Sequence, residues 1–255
     1  MFFLNQTSIK PHKVKQWLHT PIEDETLFKD QVSIICDIYS QAKSLHKQGI
    51  HVVSCDEKTG IQALEREITL MKPGQCERQD DSYERHGTQC LIANFEVATG
   101  RIIEPTVGDR RTEEDFVKHI EKTIDTDPEG KWIFIIDNLN THRSEGLVQL
   151  VAKKCRIEDS LGTKGKSGIL KNMETRSKFL KEKEHRIRFI YTPKHASWLN
   201  QVEIWFSILV KRLLKRLSVK STVELKNKII KFIDYFNDTL ARPFKWTYKG
   251  KVLSS

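Results

Sequence analysis

An α/β fold is predicted by strand-like apolar runs that alternate with capped, amphipathic helices. Trp132-Ile133-Phe134-Ile135-Ile136 is short and apolar on both faces, the pattern of a buried strand rather than an edge. Thr112 and Ser144 stand before helical patterns on either side of it, each with the hydroxyl that an N-cap needs. Arg186 to Tyr191 then supplies another strand, stopped by Pro193.

The remaining elements follow in chain order. Thr20-Pro21-Ile22-Glu23 reads as a helix start, with a capping hydroxyl, proline at the first position and glutamate closing the box. Leu27, Val32, Ile35, Ile38, Ala42 and Leu45 continue one apolar stripe, and Gly49 ends it. This helix has too little apolar surface around it to be a domain, so it is predicted as a linker docked on the main body. His51 to Asp56 is read as a strand, Lys58-Thr59-Gly60 as a turn, and Ile61 to Leu70 as a second strand. Lys72 to Gly87 is polar and predicted as loop. Thr88 to Val97 and Arg101 to Glu104 are strands joined by Ala98-Thr99-Gly100. Helices are expected from Thr112 to Ile124, with Glu113, Glu114 and Asp115 favouring its positive end, and from Ser144 to Lys154. Cys155 to Glu184 is rich in Lys, Gly, Ser and Glu and reads as an insertion with one small helix, Leu170 to Lys181. Within it, Ser160 to Ser167 superficially suggests a phosphate-binding loop, but it lacks the first glycine and a preceding strand. A last helix, Thr222 to Asn237, gathers Leu225, Ile229, Phe232, Ile233 and Phe236 on one face.

Composition narrows the class of protein. With 255 residues, 38% hydrophobic and 30% charged, the chain can bury a substantial core and is not of the disordered type. A net charge of +9 favours a polyanionic partner. Five cysteines without a CxxC pair suggest neither a disulfide framework nor a zinc ribbon, and fit a reducing compartment. The opening Met1-Phe2-Phe3-Leu4-Asn5-Gln6 is too short and polar for a signal peptide, and no apolar run approaches a membrane span. A cytoplasmic, nucleoid-associated protein is expected.

Three carboxylates carry the chemistry. Asp56 follows an apolar run, Asp137 ends the strongest strand, and Glu203 lies in a helix-like segment. An acid at the end of a buried strand is costly unless something neutralises it. Three of them in a basic chain suggest a shared divalent-metal site acting on phosphodiesters. At about 100° per residue with Leu199 at zero, Val202, Phe206, Val210 and Leu213 cluster on one side, and Glu203 falls at about 40°, inside that sector. Glu203 is therefore expected to face inward, with Lys211, Arg212, Lys215 and Arg216 on the opposite side. Each acid also has an ordinary reading: Asp56 as a turn residue, Asp137 as a cap, Glu203 as a core salt-bridge partner.

Ser54-Cys55-Asp56-Glu57-Lys58-Thr59-Gly60, Ile136-Asp137-Asn138-Leu139-Asn140-Thr141-His142 and the block from Tyr191 to Glu203 resemble the three catalytic blocks of mariner-related bacterial transposases of the insertion-sequence six-thirty family, in the DDE superfamily. The resemblance runs from about Ile9 to Leu253. It implies a ribonuclease-H-like mixed sheet flanked by helices, with the two aspartates on adjacent strands and the glutamate on a helix. It further implies Mg²⁺, replaceable by Mn²⁺, with two ions expected: Asp56 bridging both, Asp137 on one and Glu203 on the other. The implied partners are duplex DNA, as transposon ends and as a target favouring TA dinucleotides, and a second copy of the chain in a homodimer or larger assembly.

Two departures stand out. The interval from Asp137 to Glu203 is longer than usual, and the surplus matches the insertion. Such transposases normally open with a helix-turn-helix domain, of which only a tail is recognised here. The expected organisation is a remnant of that domain at 1–20, a linker helix at 21–48, a catalytic domain at 49–242 interrupted at 155–185, and a tail at 243–255. A truncated, non-catalytic derivative that binds DNA or dimerises is the alternative reading.

Other candidates keep two readings each. His142, His195 and Asn200 could position a phosphate or orient a metal ligand, or be structural. Lys58 is a DNA contact or a turn lysine. Lys211, Arg212 and Lys215 are phosphate contacts or a solvated face. Trp198 and Trp205 are packing residues or base-stacking platforms.

Overall fold

The apolar runs assemble into one mixed five-stranded sheet in the computed structural model, which describes residues 24–66, 68–69, 78–79, 82–194 and 196–248. The strands are β1 (Ile50–Glu65), β4 (Glu84–Glu96), β5 (Ile102–Gly108), β6 (Lys131–Ile136) and β7 (Ile187–Tyr191); a two-stranded ladder pairs β2 (Ile68–Thr69) with β3 (Arg78–Gln79). The sheet order is β5-β4-β1-β6-β7. β5, β4 and β1 form an antiparallel meander, whereas β1, β6 and β7 run parallel. Parallel neighbours need crossover connections, and helices supply them: α2 (Glu113–Ile124) before β6, then α3 (Glu145–Cys155) and α4 (Met173–Leu180) before β7.

Helices cover both faces of this sheet. One face carries α1 (Glu25–His46), α5 (Gln201–Arg212) and α6 (Thr222–Thr239), whose Val32, Ile35, Val202, Trp205, Leu225 and Ile229 pack with Val52, Ile133 and Ile135. On the other, α2, α3 and α4 bring Phe116, Ile120, Leu147, Val148 and Leu180 against Val53, Trp132, Phe134 and Phe189. Each fully buried aliphatic side chain contributes roughly 1.5–3 kcal/mol of transfer free energy. Strand alternation thus divides the core in two: Val53 and Cys55 face α2, while Val52 and Ser54 face α5.

Caps fix the helix starts. Thr112 and Asp115 form a reciprocal capping box at α2, and Ser144 accepts from Leu147 N at α3. α1 is capped by Asp24, which accepts from Leu27 N at 2.9 Å, so the helix begins four residues beyond the start expected at Thr20, whose own position lies outside the described residues. As expected, α1 docks on the body: Val32, Ile35, Cys36, Tyr39 and Ala42 are buried, and Tyr39 Oη donates to Leu199 O at 2.9 Å. Residues 1–20 also lie outside the described residues.

The expected turn at Lys58-Thr59-Gly60 is not a reversal. β1 runs through it, still paired with β4 on both sides, and the register slips between Lys58 and Ile61. Gly60, at φ +66°, absorbs the slip as a bulge, so two predicted strands fuse into one. The predicted loop ends earlier than expected, because β4 already begins at Glu84; residues 70–77 and 80–81 lie outside the described residues. Among the described residues no helix is long and apolar enough to cross a membrane.

The segment 241–248 lies along the α1/α6 face, with Phe244 stacked on Phe95 at 4.5 Å and Trp246 edge-on to Tyr39 at 4.9 Å. Gly100 makes this possible. Its φ is +76°, and a Cβ there would lie 2.1 Å from the carbonyl oxygen of Arg242. Gly100→Ala is therefore expected to destabilise the fold by about 2–4 kcal/mol, combining the left-handed penalty with displacement of the segment. Urea denaturation monitored by tryptophan fluorescence checks this; an unchanged midpoint refutes it.

Candidate active site

The parallel ladder brings the two aspartates together. β1 and β6 pair in a constant register from Ile50 opposite Lys131 to Ser54 opposite Ile135. Continued two residues, it sets Asp56 across from Asp137, on neighbouring strands about 4.8 Å apart. Both follow residues of the α5 face by strand alternation, Ser54 before Asp56 and Ile135 before Asp137. The helix that carries Glu203 packs on that face.

Asn200 joins that helix to β1. It is 1% exposed, and its Nδ2 donates to Cys55 O at 2.9 Å and to Asp56 Oδ2 at 3.0 Å. Its Oδ1 accepts from Ser54 Oγ, and Ser54 Oγ in turn accepts from Val202 N at 2.9 Å in the first turn of α5. Asp56 Oδ1 accepts from Glu57 N at 2.7 Å.

A second chain of contacts holds Asp137. His142, fully buried, lies with Nδ1 2.7 Å from Asp137 Oδ1 and Nε2 3.4 Å from Glu57 Oε1. Arg111 Nη1 donates to Glu57 Oε2 at 3.0 Å, and Leu139 N donates to Asp137 Oδ1 at 3.1 Å. Phe116 packs on the imidazole at 4.2 Å, and Tyr191 Oη donates to His142 O at 2.9 Å. The ring is therefore locked by packing and by two carboxylates.

The two aspartates respond oppositely to this setting. Burial pushes the Asp56 carboxyl up to about 7, and the charges of Asp137 and Glu203 add to the rise against the hydrogen bond from Glu57 N. Burial would also raise Asp137, but the hydrogen bond and charge of His142 outweigh it and hold Asp137 below the usual range. Burial disfavours the imidazolium, yet Asp137 and Glu57 together lift His142 to about 9.

Glu203 does not face the core as expected: it is exposed. The reason is which residues form the buried side of the helix. Leu199, used as the origin of the wheel, belongs to a 3₁₀ turn (Ser197–Leu199), and α5 begins only at Gln201. Within α5 the buried stripe is Val202, Trp205, Phe206 and Leu209, with Glu203 on its flank. There it lines a recess with Lys58, Phe206, Ser207, Val210 and Lys211, and Lys58 Nζ lies 6.0 Å from the Phe206 ring. The expected face of four cations also breaks up. α5 ends at Arg212, which lines a different recess with Phe236 and Thr239, and Lys215 lies in a separate 3₁₀ turn. His195 lies outside the described residues. Trp205 is buried, whereas Trp198 is 47% exposed and meets Tyr248 edge-on.

Sequence reasoning missed Ser54, Glu57, Arg111 and Asn138. Glu57, Arg111 and Asn138 line a recess of about 400 Å³ with Leu139, Asn140 and Thr141, between the residues that follow the two aspartates. Glu57 carried a signal: strand alternation sends it to the opposite face from Asp56, into an apolar core where a carboxylate requires partners.

The donor set suits a hard dication, since its side chains are carboxylates and, among the described residues, no cationic side chain is hydrogen-bonded to the buried Asp56. Its raised pKa is the imbalance that a bound dication would correct. The ligand atoms of the three acids do not all lie within 4.8 Å of one another. Asp137 Oδ1 is held by His142 Nδ1 at 2.7 Å.

A mixed five-stranded sheet of order β5-β4-β1-β6-β7 with helices on both faces is a ribonuclease-H-like fold. The family model described as DDE superfamily endonuclease matches residues 51–226, and the chain belongs to that family. It thus belongs to a family of endonucleases. The fold matches the catalytic domain of the Mos1 mariner transposase at 12% identity and TM-score 0.50, over 86% of this chain and 85% of that one. The Mos1 transposase paired-end complex with the left transposon end matches at 15% identity and TM-score 0.50, over 94% of this chain and 62% of that one. A pre-cleavage Mos1 transpososome matches at 13% identity and TM-score 0.51, over 93% and 62%. The chain thus spans about three fifths of the longer Mos1 chains. No curated protein matches.

Proposed function

We propose that this chain cleaves DNA at transposon ends and joins the freed 3′-hydroxyl to target DNA, with Asp56, Asp137 and Glu203 as its metal-binding catalytic residues. The observation that carries this reading is that Asp56 and Asp137 each follow by two residues the last recorded pair, Ser54 and Ile135, of one parallel ladder, with the Glu203 helix tied to Asp56 through Asn200. The family match and the DNA in the Mos1 complexes support the same reading. Two Mg²⁺ ions, or Mn²⁺, would be held by these three acids. Bound there, such ions activate the attacking oxygen and stabilise the leaving one.

The chain's own residues position the parts. Asn200 holds Asp56 Oδ2 and leaves the remaining lone pairs of that carboxylate to a cation. His142 fixes the rotation of Asp137 from its buried side, and Glu57 fixes His142. Beside them, Arg143 and Lys181 both lie on the Tyr191 ring, at 4.8 and 5.3 Å from its centroid. Duplex DNA with a TA target and a homodimeric or larger assembly complete the proposed reaction.

The test is nicking of plasmid DNA with Mn²⁺, and joining of a labelled 3′ end, by the parent beside Glu203→Gln. Cleavage by the parent and at least about 10³-fold less by the variant is expected. Equal activity in the two would remove Glu203 from the assignment. Activity on RNA–DNA hybrids without joining to duplex DNA would replace transposition by a ribonuclease function.

A further inference from the structure

The far end of β1 gathers a second group of ligand-type side chains. His46 closes the last turn of α1, His51 opens β1, and Glu96 ends β4. One ligand atom from each lies within 4.8 Å of the other two. His46 Nε2 is 3.3 Å from Glu96 Oε1, the separation of two donors that share one tetrahedral ion at about 2.0–2.2 Å. His51 Nδ1 is closer to the same oxygen, at 2.6 Å, and an opening of under about 1 Å brings it to that spacing.

The surroundings orient His51 and Glu96. His51 Nε2 is 3.1 Å from Asp127 Oδ2, so that this nitrogen donates outward and Nδ1 is presented to the cluster. A carboxylate behind a histidine is the usual support of a metal-bound imidazole. Thr99 Oγ1 donates to Glu96 Oε2 at 2.6 Å and leaves Oε1 to the cluster. The His51 ring is stacked on Trp132 at 4.1 Å, and Glu96 is 4% exposed. Ligands on rigid elements, with His51 and Glu96 each steered by a partner outside the cluster, form a built site.

We propose that His46, His51 and Glu96 form a transition-metal site, distinct from the catalytic acids, that takes Zn²⁺ or a similar borderline dication and pins α1 to the sheet. Two imidazoles and one carboxylate suit zinc, and a fourth position stays open to water. Magnesium, which prefers oxygen ligands and dehydrates reluctantly, is a poor occupant. His51 and Asp56 are five residues apart on one strand, about 16 Å, so the two sites do not share an ion.

The experiment is calorimetric titration of Zn²⁺ into a chain carrying Asp56→Asn, Asp137→Asn and Glu203→Gln, which silences the catalytic acids. One equivalent is expected to bind and to raise the melting temperature, whereas Mg²⁺ at the same concentration has no effect. His46→Gln, at a side chain 37% exposed, is expected to weaken binding by more than about tenfold without unfolding the chain. Asp127→Asn, which alters the support of His51 and keeps an oxygen for the Gly130 N–H, is expected to weaken it by about tenfold. Absence of zinc binding overturns the site. So does binding that survives His46→Gln, or that is lost instead in His86→Gln, which belongs to a second cluster with Glu65 and Glu84.

Discussion

Asp56→Asn is expected to abolish cleavage and, in EDTA, to make the protein more stable at neutral pH. The loss of activity follows from the proposed role, because a neutral amide cannot bridge two dications, and a fall of at least about 10³-fold is expected. The gain in stability follows from linkage. The Asp56 carboxyl is raised from 3.8 to about 7 by burial, with Asp137 and Glu203 adding to it. A carboxyl raised on folding binds its proton more tightly in the native state. Its contribution to stability is complete below about pH 4 and is lost as pH rises through about 7. At pH 8 the charged form is the burden, and each tenfold gain in proton affinity on folding corresponds to at most about 1.4 kcal/mol of it. The asparagine amide would oppose the Asn200 Nδ2 that now donates to Asp56, which offsets part of the gain. A net stabilisation of about 1–2 kcal/mol at pH 8, vanishing near pH 4, is the expected result. Urea denaturation at both pH values measures it. Equal destabilisation at both would show that the carboxylate is a structural group, satisfied without an ion.

Such a trade between stability and activity marks a site whose charge awaits a ligand. Asp137 does not share it. Its charge is already met by His142, itself backed by Glu57 and Arg111. The aspartates thus differ although they occupy equivalent places in the register.

The sequence was most legible where local and tertiary preferences agree. Thr112 and Ser144 cap their helices as read, and the run from Trp132 to Ile136 is the buried strand it resembles. Asp56 lies in β1, and Asp137 directly follows β6, the parallel neighbour of β1. Legibility failed where a local motif has two outcomes. Lys58-Thr59-Gly60 can close a hairpin or bulge a continuing strand, and only the distant partner β4 decides. The wheel takes Leu199, Val210 and Leu213 as part of its apolar side, yet the buried side of α5 is set by Val202, Trp205, Phe206 and Leu209, and Glu203 lies about 110° from its centre. Long-range contacts were invisible for the same reason: nothing local to His142 announces Glu57, 85 residues away in the chain.

Asn200 ties β1, Asp56 and the Glu203 helix together, and its replacement is the most informative structural change. Asn200→Ala removes the donor to Cys55 O and Asp56 Oδ2 and the acceptor of Ser54 Oγ, all within a site almost without solvent. A loss of about 3 kcal/mol is expected, because unpaired polar groups remain buried. Glu203 follows three residues later in the first turn of α5, so cleavage should fall further than stability does, by about 10²-fold, as the acids lose their mutual position. Asn200→Asp separates packing from charge. The shape is kept, but a new carboxylate faces Asp56 at a spacing now held by a 3.0 Å hydrogen bond. It should be less stable than Asn200→Ala at pH 8 and more stable at pH 5, where a shared proton relieves the pair. If both variants keep parental melting temperatures but lose cleavage, Asn200 contacts the substrate rather than positioning α5. If melting temperature falls and cleavage at a permissive temperature stays parental, the bridge serves the fold alone, and the acids are held by other means.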